Sequence, residues 1–516
     1  METSLEPDTH AVLQTQDDGN RAQPVSLTSR AASPSASQPV RHLCGVLALL
    51  VLVALFVPAS RPTGWFHDFN AFYCAGVTIR ARQDPYRAEP IGTCERLSKP
   101  AGFHVGLRHV SVPAPLPPYA LALFVPLSAV PYGVAAFIWV LVLMLALAVT
   151  IEAMHRASGL HRATLFAVFA PIEGYSSLYL GETVPIAVAS IGLAAMFLQQ
   201  DCAKKAALAI APALIVPHVG LPAALALFLW LPKARPPLAG IAAFLGAVSF
   251  ACVSPRTVLE YLREVLPAHA RSEAESSAQL SLTGLLHIFG VPTNLALHLG
   301  SASYIAALFL SLALCRMLAA RDRRDGLIVT LPTALAVTGG VFMHVTQMPA
   351  ALPAALFLFQ RSHGVARRSV GGAIVLLALP WDQLYLGMIF IPLAAGAVFV
   401  MMRSLLRESR AATLLASLTA VSIIVAFDLA LAHSAPLTAF NLPPVRPHDL
   451  AEVSWGFYVR AISTWGLHVF ELARLPSWLA IATLAAALIR FVIELPKDDR
   501  RGIVEPIAFG HELASR

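Results

Sequence analysis

Residues 116–151 read LPPYALALFVPLSAVPYGVAAFIWVLVLMLALAVTI. Two apolar runs, 116–130 and 133–151, meet at the Pro131–Tyr132 turn, which is typical of a helical hairpin. Each run approaches the roughly 20 residues that a helix needs to cross a hydrocarbon core of about 30 Å. In lipid such a segment must be helical, because a helix bonds its own backbone groups. The stretch therefore predicts a protein that spans the membrane.

The composition extends this conclusion to the whole chain. Its 516 residues are 57% hydrophobic and 13% charged, whereas a soluble domain has about 25% charged residues. Apolar runs recur as far as residues 475–493, and together they predict about twelve spans. We therefore predict an all-α polytopic membrane protein. Several runs are short or interrupted by proline, which favours a site inside the bundle.

The net charge of +7 does not indicate nucleic acid. The Lys and Arg residues form short clusters between apolar runs, where they act as topology signals and contact lipid phosphates. Their distribution along the sequence does not decide the orientation, because the loop after the first span is more basic than the N-terminal tail.

The chain divides into three parts. Residues 1–42 are rich in Ser, Thr, Gln and Pro, which predicts a disordered cytoplasmic tail. The membrane-embedded domain covers residues 43–494 and begins with a retained first span at 43–59. Residues 495–516 form a polar C-terminal tail.

The six cysteines do not form a disulfide framework. Four lie in or beside apolar runs, where a free thiol behaves as a small hydrophobe. Cys74 and Cys94 share a polar loop and could pair if that loop is outside the cell, but their spacing leaves the pairing open.

The most informative stretch is DFNAFYCAGVTIRARQDPY, residues 68–86. Its aromatic and small residues fall at helical spacing, which predicts an amphipathic helix along the membrane surface with Asp68 at its start. Tyr73 belongs to the aromatic face, while Arg80 and Arg82 could reach lipid phosphates. Asp is a favoured N-cap residue, so a capping role and a chemical role are both open for Asp68.

This stretch resembles glycosyltransferase family 87, mannosyltransferase-like membrane enzymes of the GT-C class. Further segments are similar to the family in the same order, over about residues 45–359. These are the proline-rich hairpin 115–139, LGETVP at 180–185, IVPHVGLP at 215–222, the Ser- and Leu-containing stretch 279–286, and MHVTQMPAALP at 343–353. The chain departs from the family at Glu182, where Gln is usual, and at His218, where Lys is usual.

The resemblance implies a GT-C-like bundle of about twelve transmembrane helices, with a short interfacial helix after the first span. It also implies transfer of a hexose, with mannose as first candidate, from a polyprenyl-phosphate sugar to a lipid or glycan hydroxyl. The reaction would be an inverting displacement at the outer face of the cytoplasmic membrane. The chain lacks a glycine-rich nucleotide-binding motif, which agrees with a lipid donor.

The resemblance and the residues together give the candidate site. Asp68 is the candidate general base. The candidate donor-phosphate contacts are Arg80, Arg82, His218 and His344. The candidate cavity-lining residues are Tyr73, Glu182 and Gln347. Both histidines lie in apolar runs, where polar groups are costly and tend to be functional, although a structural, hydrogen-bonded histidine is the alternative for each.

No cofactor is evident, and no cluster of His, Cys or carboxylate residues has metal-ligand spacing, although distant residues could converge on a divalent metal. Two other functions are compatible with the sequence: a polytopic transporter or lipid flippase, and a lipid-binding family member without catalysis. A transporter would predict two related halves with matching broken helices, and the sequence contains no visible repeat.

Overall fold

The computed structural model describes residues 67–98, 110–276, 279–339, 342–381, 390–432, 443–463 and 467–494. This part of the chain is helical and contains no strand; Arg87 and Leu450 form one isolated backbone bridge. The predicted all-α class is confirmed. The predicted first span and the two predicted tails lie outside the described residues.

The α-helices follow one another in chain order. They are α1 His67–Arg80, α2 Ala88–Ser98, α3 Pro118–Leu121, α4 Phe124–Leu127, α5 Tyr132–Ser158, α6 Arg162–Leu180, α7 Val184–Gln199, α8 Ala203–Ala209, α9 Pro217–Trp230, α10 Arg235–Cys252, α11 Pro255–Glu260, α12 Leu266–Glu273, α13 Leu282–Ile288, α14 Thr293–Ala319, α15 Leu327–Thr338, α16 Leu352–Arg361, α17 Gly364–Leu377, α18 Phe390–Ser404, α19 Arg410–Ala432, α20 Ala451–Ser463 and α21 Leu467–Glu494. Short 3-10 turns cover Ala211–Ile215, Pro232–Ala234 and Val345–Ala351, and a π-turn covers Tyr261–Val265.

Four of the described helical segments are long and apolar enough to cross a membrane: Tyr132–Ser158, Pro232–Cys252, Thr293–Ala319 and Leu472–Glu494. The predicted count of about twelve is not confirmed. Further apolar helices of 10–17 residues occur, and each is shorter than the roughly 20 residues of a full span. Prolines and 3-10 turns interrupt these runs, as in α15, which contains Pro332.

The ends of several helices meet at one side of the bundle, which we call the basic end. Arg324, after α14, lies 3.4 Å from Asp201, after α7. Arg361, at the end of α16, makes two hydrogen bonds of 2.6 and 2.8 Å to Asp325. The basic end therefore joins the loops after α7, α14 and α16, and these are rich in Arg and Lys.

Helix α1 differs from the predicted amphipathic surface helix, because Phe69–Ala75 are all buried. The Phe69 ring stacks on Trp139 of α5, with centroids 5.7 Å apart. The Phe72 ring lies 5.1 Å from that of Phe124. The aromatic residues thus pack against the following helices, because large rings gain more from burial in protein than from one exposed face.

A disulfide joins Cys74 in α1 to Cys94 in α2. The sequence left this pairing open. Asn70 of α1 also accepts a 2.6 Å hydrogen bond from Ser98 at the end of α2. Helix α1 is therefore held on one side by α2 and on the other by α4 and α5, and these contacts fix the position of Asp68 at its first turn.

Candidate functional site

One cavity of about 580 Å³ takes in five of the eight candidate residues. Its walls come from the start of α1, the segment 112–119, the turn between α6 and α7, the start of α9, the α11–α12 region, the segment after α15, and α20. The five candidates in this cavity are Asp68, Glu182, His218, His344 and Gln347. Segments far apart in sequence therefore converge on one internal space.

Asp68 and Glu182 form a carboxyl pair on one wall of the cavity. Their side chains are hydrogen-bonded to each other, which requires a proton between them. Burial and the neighbouring charge of Glu182 raise the pKa of Asp68 well above its ordinary value of 3.8. Burial also raises the pKa of Glu182. The pair therefore retains a proton at a pH where isolated carboxyl groups have lost theirs.

The turn before α7 directs Glu182 into the cavity. Gly181 has a φ of 76°, a left-handed conformation that glycine adopts without steric cost. Its carbonyl oxygen accepts a 2.8 Å hydrogen bond from the indole nitrogen of Trp139. The Glu182 carboxylate accepts a 3.2 Å hydrogen bond from the backbone nitrogen of Thr183. This local geometry stabilises the position of the carboxyl group facing Asp68.

Glu273 and His344 form an ion pair on another wall. The His344 Nε2 lies 3.3 Å from a carboxylate oxygen of Glu273, and the indole nitrogen of Trp455 donates to the other oxygen. Burial opposes ionisation of Glu273, but His344, His269 and Trp455 together lower its pKa to about 2. Glu273 is therefore a buried carboxylate at neutral pH, and it holds the imidazole of His344 in one orientation.

Three imidazoles surround the Phe342 ring. The ring centroids of His218, His269 and His344 lie 5.3, 5.1 and 6.4 Å from that of Phe342. The Nε2 atom of His218 and the Nδ1 atom of His269 have no hydrogen-bond partner within the described residues. Burial lowers the pKa of His269 to about 4, so this imidazole is neutral near pH 7 and could donate or accept one hydrogen bond.

Gln347 positions the backbone of the His344 turn. Its side-chain oxygen accepts a 3.2 Å hydrogen bond from the backbone nitrogen of His344, as in a helix capping box. The side chain of Gln347 is buried and reaches the cavity. It therefore fixes the start of the 3-10 turn from which the His344 imidazole projects.

The other three candidates lie elsewhere. Tyr73 donates a 2.9 Å hydrogen bond to the carbonyl oxygen of Val130 and packs against Tyr132, so it does not line the cavity. The reason is helical geometry, since Tyr73 follows Asp68 by five residues and projects from another side of α1. Arg80 and Arg82 are exposed at the end of α1, and their contact with a donor phosphate stays a prediction.

The cavity-lining residues that sequence reasoning missed include His269, Glu273, Trp455 and Tyr458. The signal for the first two was the polar stretch 254–279, which interrupts the apolar runs. The aromatic pair carried no comparable signal. Among the described residues, no group of three or more His, Cys, Asp or Glu is arranged to hold a metal ion.

The part of the sequence that contains several of these site residues matches a known family. Residues 116–343 match the model of glycosyltransferase family 87. The predicted resemblance to family 87 is therefore confirmed. The matched region contains Glu182, His218 and Glu273, whereas Asp68 precedes it and His344 is the first residue beyond it. No significant match to a curated protein or to a solved structure was found.

The family matched over residues 116–343 is a glycosyltransferase family, and the long apolar helices indicate an integral membrane protein. A cavity with a carboxyl pair on one wall and imidazoles on another has the two kinds of group that glycosyl transfer uses. The carboxyl groups can exchange protons with a hydroxyl, and protonated imidazole can stabilise an anionic leaving group.

Proposed function

We propose that the chain transfers a hexose, with mannose as first candidate, from a polyprenyl-phosphate sugar to a hydroxyl group of a lipid or glycan. The observation that carries this proposal is the presence of Asp68, Glu182 and His344 in one cavity. The family 87 match supports the same class of reaction. The site would face the outer side of the cytoplasmic membrane.

A lipid donor suits the apolar part of the cavity. Pro113, Leu116 and Leu266 line it together with Leu262, and 56% of the Leu262 surface is exposed. An exposed leucine that also lines a cavity is compatible with surrounding acyl chains rather than water. A prenyl chain could therefore lie along this apolar wall while its phosphate reaches the polar wall.

The proposed reaction is a single displacement. The acceptor oxygen bonds to the anomeric carbon as the bond between that carbon and the phosphate oxygen breaks, and the polyprenyl phosphate leaves with the electron pair. Asp68, in its ionised form, takes the proton of the acceptor hydroxyl. His344 stabilises the charge that develops on the phosphate. Inversion at the anomeric carbon follows from attack opposite the leaving group.

The charges on the loops support a cavity at the outer face. Two turns that line the cavity, 181–183 and 339–344, contain no Lys or Arg, whereas the α11–α12 region that also lines it carries Arg256, Arg263 and Arg271. Short loops rich in Lys and Arg remain in the cytoplasm. The basic end carries Lys204, Lys205, Arg321, Arg323, Arg324, Arg361, Arg367 and Arg368. The Lys and Arg residues of the basic end therefore favour a cytoplasmic position for that end.

This orientation predicts that cysteines replacing two exposed arginines are labelled from opposite sides of the membrane. In intact cells, a membrane-impermeant maleimide should label Arg82→Cys, which lies beyond α1 at the cavity end. The same reagent should label Arg324→Cys, at the basic end, only after the membrane is permeabilised. The parent chain measures the background from its natural cysteines. The reverse pattern would contradict an outward-facing cavity.

The carboxyl pair predicts a specific pH dependence. Because burial and Glu182 raise the pKa of Asp68 above 3.8, transfer should increase with pH through a midpoint above that value. Replacing Glu182 by Gln removes a neighbouring negative charge, so it should lower the pKa of Asp68 and move the midpoint to lower pH. The measurement is kcat/KM from about pH 4 to about pH 9. An unchanged midpoint in Glu182→Gln would contradict the pairing.

A further inference from the structure

Helix α20 contributes an aromatic pair to the cavity from outside the family 87 match. Trp455 and Tyr458 both line the cavity, and their ring centroids lie 5.2 Å apart. Both side chains are half-buried. Aromatic rings at a cavity wall offer a flat apolar face with polar atoms at the edge.

The α20 wall is fixed to α12 by several contacts. The helices approach closely at Gly456, where a Cβ atom would lie 3.3 Å from the Cβ of Ser272. Beyond α12, the side chain of Arg460 donates a 3.1 Å hydrogen bond to Glu275. These contacts hold α20 in one register against α12, so Trp455 keeps a constant position relative to Glu273.

The hydrogen bond from Trp455 to Glu273 orients the indole beside the ion pair. Glu273 receives the indole N–H through one oxygen and faces His344 through the other. The indole and the imidazole that would contact a donor phosphate therefore bind the same carboxylate. A group bonded directly to that phosphate would be within reach of the Trp455 and Tyr458 rings.

A hexose suits this wall better than a prenyl chain. Sugar rings present apolar C–H faces together with hydroxyl groups, and the wall combines aromatic rings with the carboxylate of Glu273. A prenyl chain has no polar atoms, so it would exclude water from the Glu273 carboxylate without giving that carboxylate a further hydrogen bond. The apolar wall formed by Leu262 and Leu266 suits the prenyl chain instead.

We propose that Trp455 and Tyr458 form the sugar subsite of the cavity, with the hexose ring of the donor packed against the Trp455 indole. This inference rests on the proposed function, since it assumes a polyprenyl-phosphate sugar as donor. It adds a specificity-determining surface that lies outside the region matched to family 87.

The test compares two lipids that differ only in the sugar: polyprenyl-phosphate mannose and sugar-free polyprenyl phosphate. Binding of each to the purified full-length chain is measured by native mass spectrometry. Trp455→Ala should weaken binding of the mannose-bearing lipid about 10-fold and change binding of the sugar-free lipid less than about 2-fold. Trp455→Phe keeps an aromatic face without the N–H and should give an intermediate loss.

Trp478→Ala provides the matched control. Trp478 is also half-buried, and its indole nitrogen donates a 3.0 Å hydrogen bond to the carbonyl oxygen of Leu280, but it does not line the cavity. This variant should bind both lipids as the parent chain does. A similar loss in Trp478→Ala would mean that removing a tryptophan weakens binding generally, which overturns the subsite.

Two further results separate this inference from the proposed function. Equal weakening of both lipids by Trp455→Ala and by Trp455→Phe would overturn the sugar subsite while leaving a polyprenyl-phosphate donor in place. If the parent chain binds neither lipid, the proposed donor itself is wrong, and the subsite is wrong with it. Thermal unfolding of each variant identifies any that has not folded, and Trp455→Phe then decides the result.

Discussion

Asp68→Asn should abolish sugar transfer while leaving the protein folded. Asn has the size of Asp and can accept a hydrogen bond at the start of α1, but it cannot act as a comparable base. Loss of a general base lowers the rate by about 10² to 10⁴. Membrane vesicles supplied with labelled polyprenyl-phosphate sugar would measure the transfer rate, and thermal unfolding would measure the stability.

Asp201→Asn is the control for this substitution. Asp201 undergoes the same chemical change, but it lies exposed at the basic end beside Arg324, where an ion pair contributes only about 0–1 kcal/mol. The Asp201→Asn variant should retain the transfer rate of the parent chain. Near-normal transfer by Asp68→Asn would mean that Asp68 serves the structure of α1 and that another group is the base.

His344→Ala should give the second largest loss. The imidazole is the cavity group that Glu273 holds in a fixed orientation, and it is proposed to stabilise the departing phosphate. Removing one donor that stabilises developing negative charge costs about 10² to 10³ in kcat. The expected result is a fall in kcat of that order, measured at a saturating concentration of the polyprenyl-phosphate sugar.

His298→Ala tests whether the fall in kcat is specific to His344 or follows from removing any histidine. His298 is exposed on α14 and does not line the cavity, so its removal should leave kcat unchanged. If His344→Ala and His298→Ala behaved alike, His344 would be a structural histidine, the alternative that its position in an apolar run left open.

The sequence predicted the helical class and much of one polar wall. Hydrophobic runs report burial directly, which is why the all-α class followed from composition and run length. His218 and His344 stood out because polar groups within apolar runs are costly to bury and tend to be functional, whereas Asp68 and Glu182 were singled out by the resemblance to family 87. The family resemblance, now matched over residues 116–343, supplied the order of these segments.

The rest of the site depends on contacts between distant parts of the chain. Trp455 and Glu273 are 182 residues apart in sequence, and no local sequence pattern predicts their contact. Periodicity suggested a single apolar face for α1, but it could not show that α4 and α5 cover the aromatic residues. The same limit applies to Tyr73, whose spacing fitted a cavity position although its side chain packs against Tyr132.

The central claim is that the Asp68 cavity uses a polyprenyl-phosphate sugar as donor. The most direct measurement is the release of sugar-free polyprenyl phosphate by the purified chain in proteoliposomes that contain polyprenyl-phosphate mannose and a lipid or glycan extract as acceptor. The parent chain should release one polyprenyl phosphate for each sugar transferred, and Asp68→Asn should release almost none. Sugar transfer from a nucleotide sugar, with the polyprenyl-phosphate sugar left intact, would contradict this account.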